Sequence, residues 1–390
     1  MILKVMIKNY QSIRDSITVD FTVGKHAPDT HSFATIPEDG TRAILTQALM
    51  GANSSGKSTV LKAIAAIRWL IVRSFREDSK IPVLAFAGEK KQPEPTYLSV
   101  EFDLDSDIHV YEVQATSTLI LHEKLSVRSI TNERMTSKQV FERTWDKELG
   151  EYKITDNNFK LPGEYWKSAE LKNSSLISGA QRFGNEYAKK VVHYWERVTT
   201  NIDVEESFRP QQIEAYLAAR YYGAHPESRK DVEKDIRRYD LGIEGFGKDG
   251  NIKHKYKDGF FELSADQESS GTMQILLLHR KIERILEKGG VAIIDEFDAY
   301  LHPLMTKEMI GKFTSPKTNP GNAQLVFSSH DPSVLDYLTK YEVHIVDKDE
   351  DGVSSVRRVD SIPGIRTTQD LKKMYLSGKL KGIPKITPAV

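Results

Sequence analysis

The chain has 390 residues, a length that suits two or three domains, and 39% of them are hydrophobic, enough for substantial cores. Fifty-five Lys and Arg balance 55 Asp and Glu, so the zero net charge excludes a globally basic nucleic-acid binder and leaves only local patches. No cysteine is present for a disulfide framework or thiolate zinc site, the start lacks the charged-then-apolar order of a signal peptide, and no apolar run reaches the ~18 residues of a membrane span; a soluble, cytoplasmic protein is expected.

In chain order, "LKVMIKNY" and "SITVDFTV" alternate in polarity and predict two strands joined by a turn. A polar stretch with Pro28 and Pro37 reads as loop, and "RAILTQALM" as one continuous buried strand. "MGANSSGKST" follows, then "KSTVLKAIAAIRWLIVRSF" with helical spacing, then "TYLSVEFDL" and "IHVYEVQA" as antiparallel strands about an acidic turn. From about Glu133 to Tyr239 the three- and four-residue spacing of apolar positions predicts a mainly helical insert over 131–240. Its aromatic helix with Tyr187, Tyr194 and Trp195 reads as core rather than as a base-stacking platform. A helix after "ESSGT", buried strands at "GGVAIIDEF" and "AQLVFSSHD", and a hairpin from "YEVHIVDKD" and "VSSVRRVD" complete an α/β core. The expected units are 1–130 and 241–365 as two parts of one core, the insert between them, and a basic tail over 366–390.

The chemistry begins at Gly51, Gly56, Lys57 and Ser58, which fill G-x-x-x-x-G-K-[ST] between a strand and a helix. Such a loop turns backbone N–H groups toward phosphate oxygens, so Asn53, Ser54, Ser55 and Thr59 join the expected ATP-binding set. Lys57 supplies a point charge, Ser58 a ligand for Mg²⁺, and the helix its positive end. In "VAIIDEFD" a buried strand ends in two carboxylates, which are costly to bury without a use. Asp295 suits Mg²⁺ and Glu296 suits polarising the attacking water.

Lys57 and Asp295 lie 238 positions apart (295 − 57), far more than in a single-domain P-loop ATPase. Just before the carboxylate motif, Ser269, Ser270 and Gly271 open another helix, a second phosphate-binding N-terminus in one chain. Two subunits placed head to tail, each lending this turn to the other's nucleotide, would use both. His330, just after a buried strand, is suited to bond the γ-phosphate or the attacking water.

The order cradle, Ser/Gly turn, Asp-Glu, His resembles the ABC-type ATPase heads of SMC and RecF proteins. "ESSGT" resembles their L-S-G-G-Q signature, "DEFDAYLHP" their Walker B and D-loop with Asp298, and His330 their switch histidine. More closely, "ESSGT", "DEFDAYLHP", "SSHDP" and "YLSGKLKGIP" are similar to RloA/AbiL-type ATPases, grouped with the OLD-like ATPases of bacterial anti-phage defence. The resemblance implies an ABC-type P-loop head, a mixed sheet with flanking helices and an antiparallel β subdomain. It also implies use of ATP and Mg²⁺, a homodimer or higher even-numbered oligomer, and control of a partner effector, a nuclease from a neighbouring gene. Two departures stand out: Gln11 follows Tyr10 where the family has a basic residue, and neither Gln92 nor Gln114 has the context of a Q-loop. A RecF-like DNA-repair ATPase is the alternative, since from Arg366 onward six Lys/Arg face one acid, Asp370. A self-contained nuclease of the OLD kind is disfavoured by the 60 residues after His330 (390 − 330).

Overall fold

The computed structural model describes residues 1–36, 40–75, 80–88, 94–105, 107–131, 134–161, 166, 171–204, 211–239, 242–247 and 249–384. The chain opens with β1 (Ile2–Lys8) and β2 (Ile17–Asp20), antiparallel as the alternation predicts. β3 (Thr22–Val23), β4 (Phe33–Thr35) and β5 (Arg42–Ile44) form a small sheet of their own. The run read as one strand therefore breaks at Leu45: β5 stays in the small sheet and β6 (Thr46–Met50), wholly buried, enters the main one. Continuous apolarity marks burial but not the sheet that receives each half. Pro37 lies outside the described residues.

After α1 (Lys57–Arg73), β7 (Thr96–Leu104) and β8 (Asp107–Ala115) pair antiparallel about the acidic turn. β9 (Ile120–Thr131), β10 (Arg134–Asp146) and β11 (Glu151–Asp156) continue the meander, giving a seven-stranded sheet in the order β11-β10-β9-β8-β7-β1-β2. The segment read as helical from about residue 133 thus begins with two strands, a correction with a physical cause. On β10 the fully buried Arg143 donates through Nε to Glu123 Oε2 at 2.8 Å, while Tyr111 donates its hydroxyl to Glu123 Oε1 at 2.9 Å. A charge on the inward face, tolerable only with such complete partnering, breaks the apolar alternation that signals a strand.

Helices then follow. α2 (Leu176–Arg182) and α3 (Glu186–Glu196) pack on α1, and β12 (Val198–Thr200) joins the main sheet. Tyr194 and Trp195 are buried with Phe102, so the aromatic helix is core, shared with the β-meander. α4 (Gln211–Ala224), α5 (Pro226–Arg238) and the three-stranded sheet of β13 (Ile243–Phe246), β14 (Ile252–Tyr256) and β15 (Gly259–Leu263) surround a separate apolar cluster.

The remaining elements are α6 (Ser270–Lys288), β16 (Val291–Ile294), α7 (Pro303–Thr314), β17 (Gln324–Ser329), β18 (Val343–Lys348), β19 (Ser354–Arg358) and α8 (Leu371–Leu376). The main sheet runs β12-β16-β17-β6-β18-β19, parallel except for the last strand. α1 lies between this sheet and the meander: its Val60, Ile64 and Ile67 share one core with Val5 and Ile7 of β1 and with Ile293 and Val326 of β16 and β17. The other face of the sheet is covered by α6, α7 and α8. This is the mixed-sheet P-loop head with an antiparallel β subdomain that the sequence led us to expect. In such a sheet the ligand crevice lies beyond the carboxyl ends of the parallel strands, where β6, β16 and β17 deliver Gly51, Asp295 and His330.

The tail is not free. Leu371, Met374, Tyr375 and Leu380 belong to the core under the main sheet, while Lys373, Lys379 and Lys381 face solvent. Lys385 lies outside the described residues.

Candidate nucleotide site

β6 ends in a loop whose glycines are required by space. A Cβ on Gly51 would stand 2.3 Å from the Val346 carbonyl oxygen, and one on Gly56 2.3 Å from Ser354 Oγ. Gly56, at φ 110°, also takes a left-handed conformation that L side chains rarely adopt, and it caps α1. Lys57 turns back into the loop, donating from Nζ to the carbonyls of Gly51 at 2.8 Å and Ala52 at 2.9 Å. It is buried, and burial lowers its ammonium to about 8 against the upward pull of Asp295, Asp298 and Glu296. Ser55 Oγ is buried in the same loop with no partner among the described residues.

The carboxylates are placed by β16 and held by β17. Ser328 Oγ donates to Asp295 Oδ1 at 2.5 Å and accepts from the Glu296 N–H at 2.8 Å, and the Phe297 N–H donates to the Ser328 carbonyl at 3.0 Å. Glu296 thereby keeps a left-handed backbone, φ 49°, with its side chain exposed to solvent. Asp298 Oδ2 accepts from the N–H groups of His330 and Asp331 at 3.3 and 3.1 Å; its Oδ1 is buried without a partner among the described residues. His330 Nδ1 stands 3.4 Å from Lys57 Nζ. Lys57, Asp295, Glu296, Asp298 and His330 are therefore one constellation assembled from three neighbouring parallel strands.

The cradle suits a nucleotide triphosphate and Mg²⁺: it offers a buried ammonium, an orphaned hydroxyl, glycines that no side chain can replace, and carboxylates across from them. Ser58 follows Lys57 in the first turn of α1, and Thr59 Oγ1 donates to Gln11 Oε1 at 3.3 Å. Gln11 thus sits beside the cradle despite its departure from the family's basic residue. Gln114 is exposed on β8, and Gln92 lies outside the described residues.

The Ser/Gly turn stands apart from this constellation. Ser269 caps α6, accepting from the Thr272 N–H at 3.1 Å, and a Cβ on Gly271 would lie 3.1 Å from the Tyr300 carbonyl oxygen. No hydrogen bond or ion pair among the described residues joins Ser269, Ser270 or Gly271 to Lys57, Asp295 or Glu296.

Sequence reasoning missed Asn201, Ser328 and Ser354. Asn201 Nδ2 donates to the Asp295 carbonyl and its Oδ1 accepts from the Asp295 N–H, both at 2.8 Å. Ser354 Oγ donates to the Ser55 carbonyl at 2.7 Å, tying β19 to the loop. Small polar residues near strand ends carry no local signal of such contacts.

Among curated proteins the chain is 26% identical over 218 residues to the "Retron Vc95 probable ATPase" of Vibrio cholerae serotype O1 biovar El Tor, covering 53% of this chain and 38% of that relative's length. Among solved structures it is similar to the SMC head domain from Thermotoga maritima, with 15% identity, coverage of 92% and 98% of the two chains, and a TM-score of 0.44. It is also similar to an Smc head bound to the C-winged helix domain of ScpA, with 13% identity, coverage of 91% and 96%, and a TM-score of 0.49. No helix among the described residues is long and apolar enough to cross a membrane. The family model described as "AAA domain, putative AbiEii toxin, Type IV TA system" matches residues 48–336, a span that begins within β6 and runs from the cradle past His330. With well over half its length matched, the chain belongs to that family.

Proposed function

We propose that the chain is an ATP-binding and ATP-hydrolysing switch of a bacterial anti-phage defence system. The observation that carries this reading is the single constellation in which Lys57 meets His330 while Ser328 ties Asp295 to Glu296. Residues 53–59 hold the phosphates, with Lys57 as their cation. Ser58 and Asp295 are the groups that would hold Mg²⁺, which when bound neutralises phosphate charge as the bond to the leaving oxygen breaks. Glu296, exposed at the end of β16, accepts the proton of the attacking water. His330 lies beside Lys57, where it can donate to the outer phosphate.

The separate Ser269–Gly271 turn supports a site completed by a second copy, so ATP draws two heads together and hydrolysis releases them. The partner controlled is an effector, a nuclease in this reading, as the resemblance to the RloA/AbiL-type ATPases implies. The RecF-like alternative, direct binding of DNA, rests on the solvent-facing Lys373, Lys379 and Lys381; salt-sensitive DNA binding by the isolated chain is the outcome that favours it.

The test is Glu296→Gln, which removes the proton acceptor and leaves the cradle whole. ATP binding is expected to persist while turnover falls by about 10²- to 10⁴-fold, the usual scale of general-base catalysis. Wild-type turnover in this variant overturns Glu296 as the base.

A further inference from the structure

The edge strand inside the insert leads into a contact that the proposed chemistry does not explain. β12 is the edge of the main sheet, pairing Val198, Thr199 and Thr200 with Val291, Ala292 and Ile293 of β16. The ladder does not stop where the strand stops. The Asn201 carboxamide continues it, giving a hydrogen bond to the Asp295 carbonyl and taking one from the Asp295 N–H, both at 2.8 Å. A primary amide offers a donor and an acceptor side by side, so it clamps one backbone residue from both sides. The residue clamped bears the first carboxylate and directly precedes Glu296.

The outer edge of β12 is held just as specifically. Arg68, on the helix that begins at the cradle, donates from Nε to the Val198 carbonyl at 2.6 Å. Lys281, on the helix that begins at the Ser/Gly turn, donates from Nζ to the Thr200 carbonyl at 3.1 Å and lies 3.8 Å from Glu214 of α4. The three residues of the edge strand and the asparagine after them therefore touch the cradle helix, the helix of the Ser/Gly turn and the Asp295 backbone.

We propose that Asn201 is a positioning residue for Asp295 and Glu296, and that β12 carries the position of α6 to that pair within one chain. The inference rests on the ATPase reading above. A shift of α6 when its N-terminus engages a nucleotide pulls on Thr200 through Lys281, and Asn201 passes the shift to the Asp295 backbone. The cradle loop itself makes no bond to Asn201 among the described residues, so the clamp acts on the carboxylates and leaves the phosphate cradle in place.

The experiment is steady-state ATP turnover with Mg²⁺ by the full chain, with thermal unfolding as the folding readout. In Asn201→Ala, kcat is expected to fall about 10- to 100-fold, the cost of a misplaced catalytic group, with KM for ATP within about threefold. Asn201→Asp keeps the acceptor for the Asp295 N–H but sets a carboxylate against its carbonyl, and is expected to lose at least as much. Lys281→Met should lower kcat more modestly, and the Lys281→Met, Asn201→Ala double variant should fall no further than Asn201→Ala alone, because both act through one strand. Wild-type kcat in both Asn201 variants overturns the proposal, as do equal changes in kcat and KM or additive losses in the double variant. If the wild-type chain binds ATP but does not turn it over, the ATPase reading fails and this inference fails with it. Normal wild-type turnover with unaffected variants overturns this inference alone.

Discussion

Lys57 is held in the loop it closes, by two carbonyls and next to His330, in a place where burial lowers its ammonium to about 8. The unfolded chain holds that proton up to its ordinary value of 10.5, so between pH 8 and 10.5 the unfolded state carries more protons and stability rises with pH. Nucleotide binding has the opposite sign, because phosphates need the ammonium. Affinity for a non-hydrolysable ATP analogue should be flat up to about pH 8 and then fall, by at most about tenfold per pH unit. In Lys57→Ala the binding should be about 10- to 100-fold weaker, the loss of one charged hydrogen bond, and free of that slope. Calorimetric titration between pH 7 and 9.5 checks both; a slope that survives in Lys57→Ala assigns the titration to another group.

Elements differed in how openly the sequence announced them. The cradle was legible because its glycines and lysine are fixed by sterics and charge, and because a buried strand and an amphipathic helix flank it. β16 and β17 were legible as apolar runs, since parallel strands covered on both faces have no polar side to show. β10 was hidden by Arg143, whose charge faces inward and is satisfied by Glu123 on a neighbouring strand, a pairing that no local window contains. The tail read as basic from its lysines, and between them Leu371, Met374, Tyr375 and Leu380 enter the core. Tyr375 donates its hydroxyl to the Gly382 carbonyl at 3.0 Å, and a Cβ on Gly382 would lie 3.5 Å from Gly51 Cα. The segment is thus a buttress behind the cradle, and deleting it would disturb ATP binding as well as any partner. Leu380, fully buried, tests this: Leu380→Ala should lower unfolding free energy by about 2–5 kcal/mol and weaken nucleotide binding. Lys379→Ala, at an exposed position beside it, should do neither; denaturant unfolding decides.

At the scale of the whole molecule, the two helix starts proposed to bind phosphate share no hydrogen bond or ion pair among the described residues. α1 opens inside the constellation of Lys57, Asp295 and His330, whereas α6 opens beside Tyr300, with no bond to that constellation among the described residues. In the reading proposed above, a nucleotide on Lys57 lacks the Ser269–Gly271 turn of its own chain, and a head-to-tail second copy would supply it. Complementation turns this into a measurement. Lys57→Ala disables a site from the cradle side. Gly271→Asp disables one from the signature side, by placing a charge where phosphate is expected and a side chain 3.1 Å from the Tyr300 carbonyl oxygen. Each homodimer has two sites with one lesion apiece and should be inactive. In the mixed dimer one site carries both lesions and the other carries neither, so co-expression with two different affinity tags, followed by isolation of the doubly tagged species, should restore ATP turnover. Recovery that requires both tagged chains in one particle places the signature in trans; inactivity of a verified heterodimer removes the shared site and, with it, the clamp by which ATP would close two heads on each other.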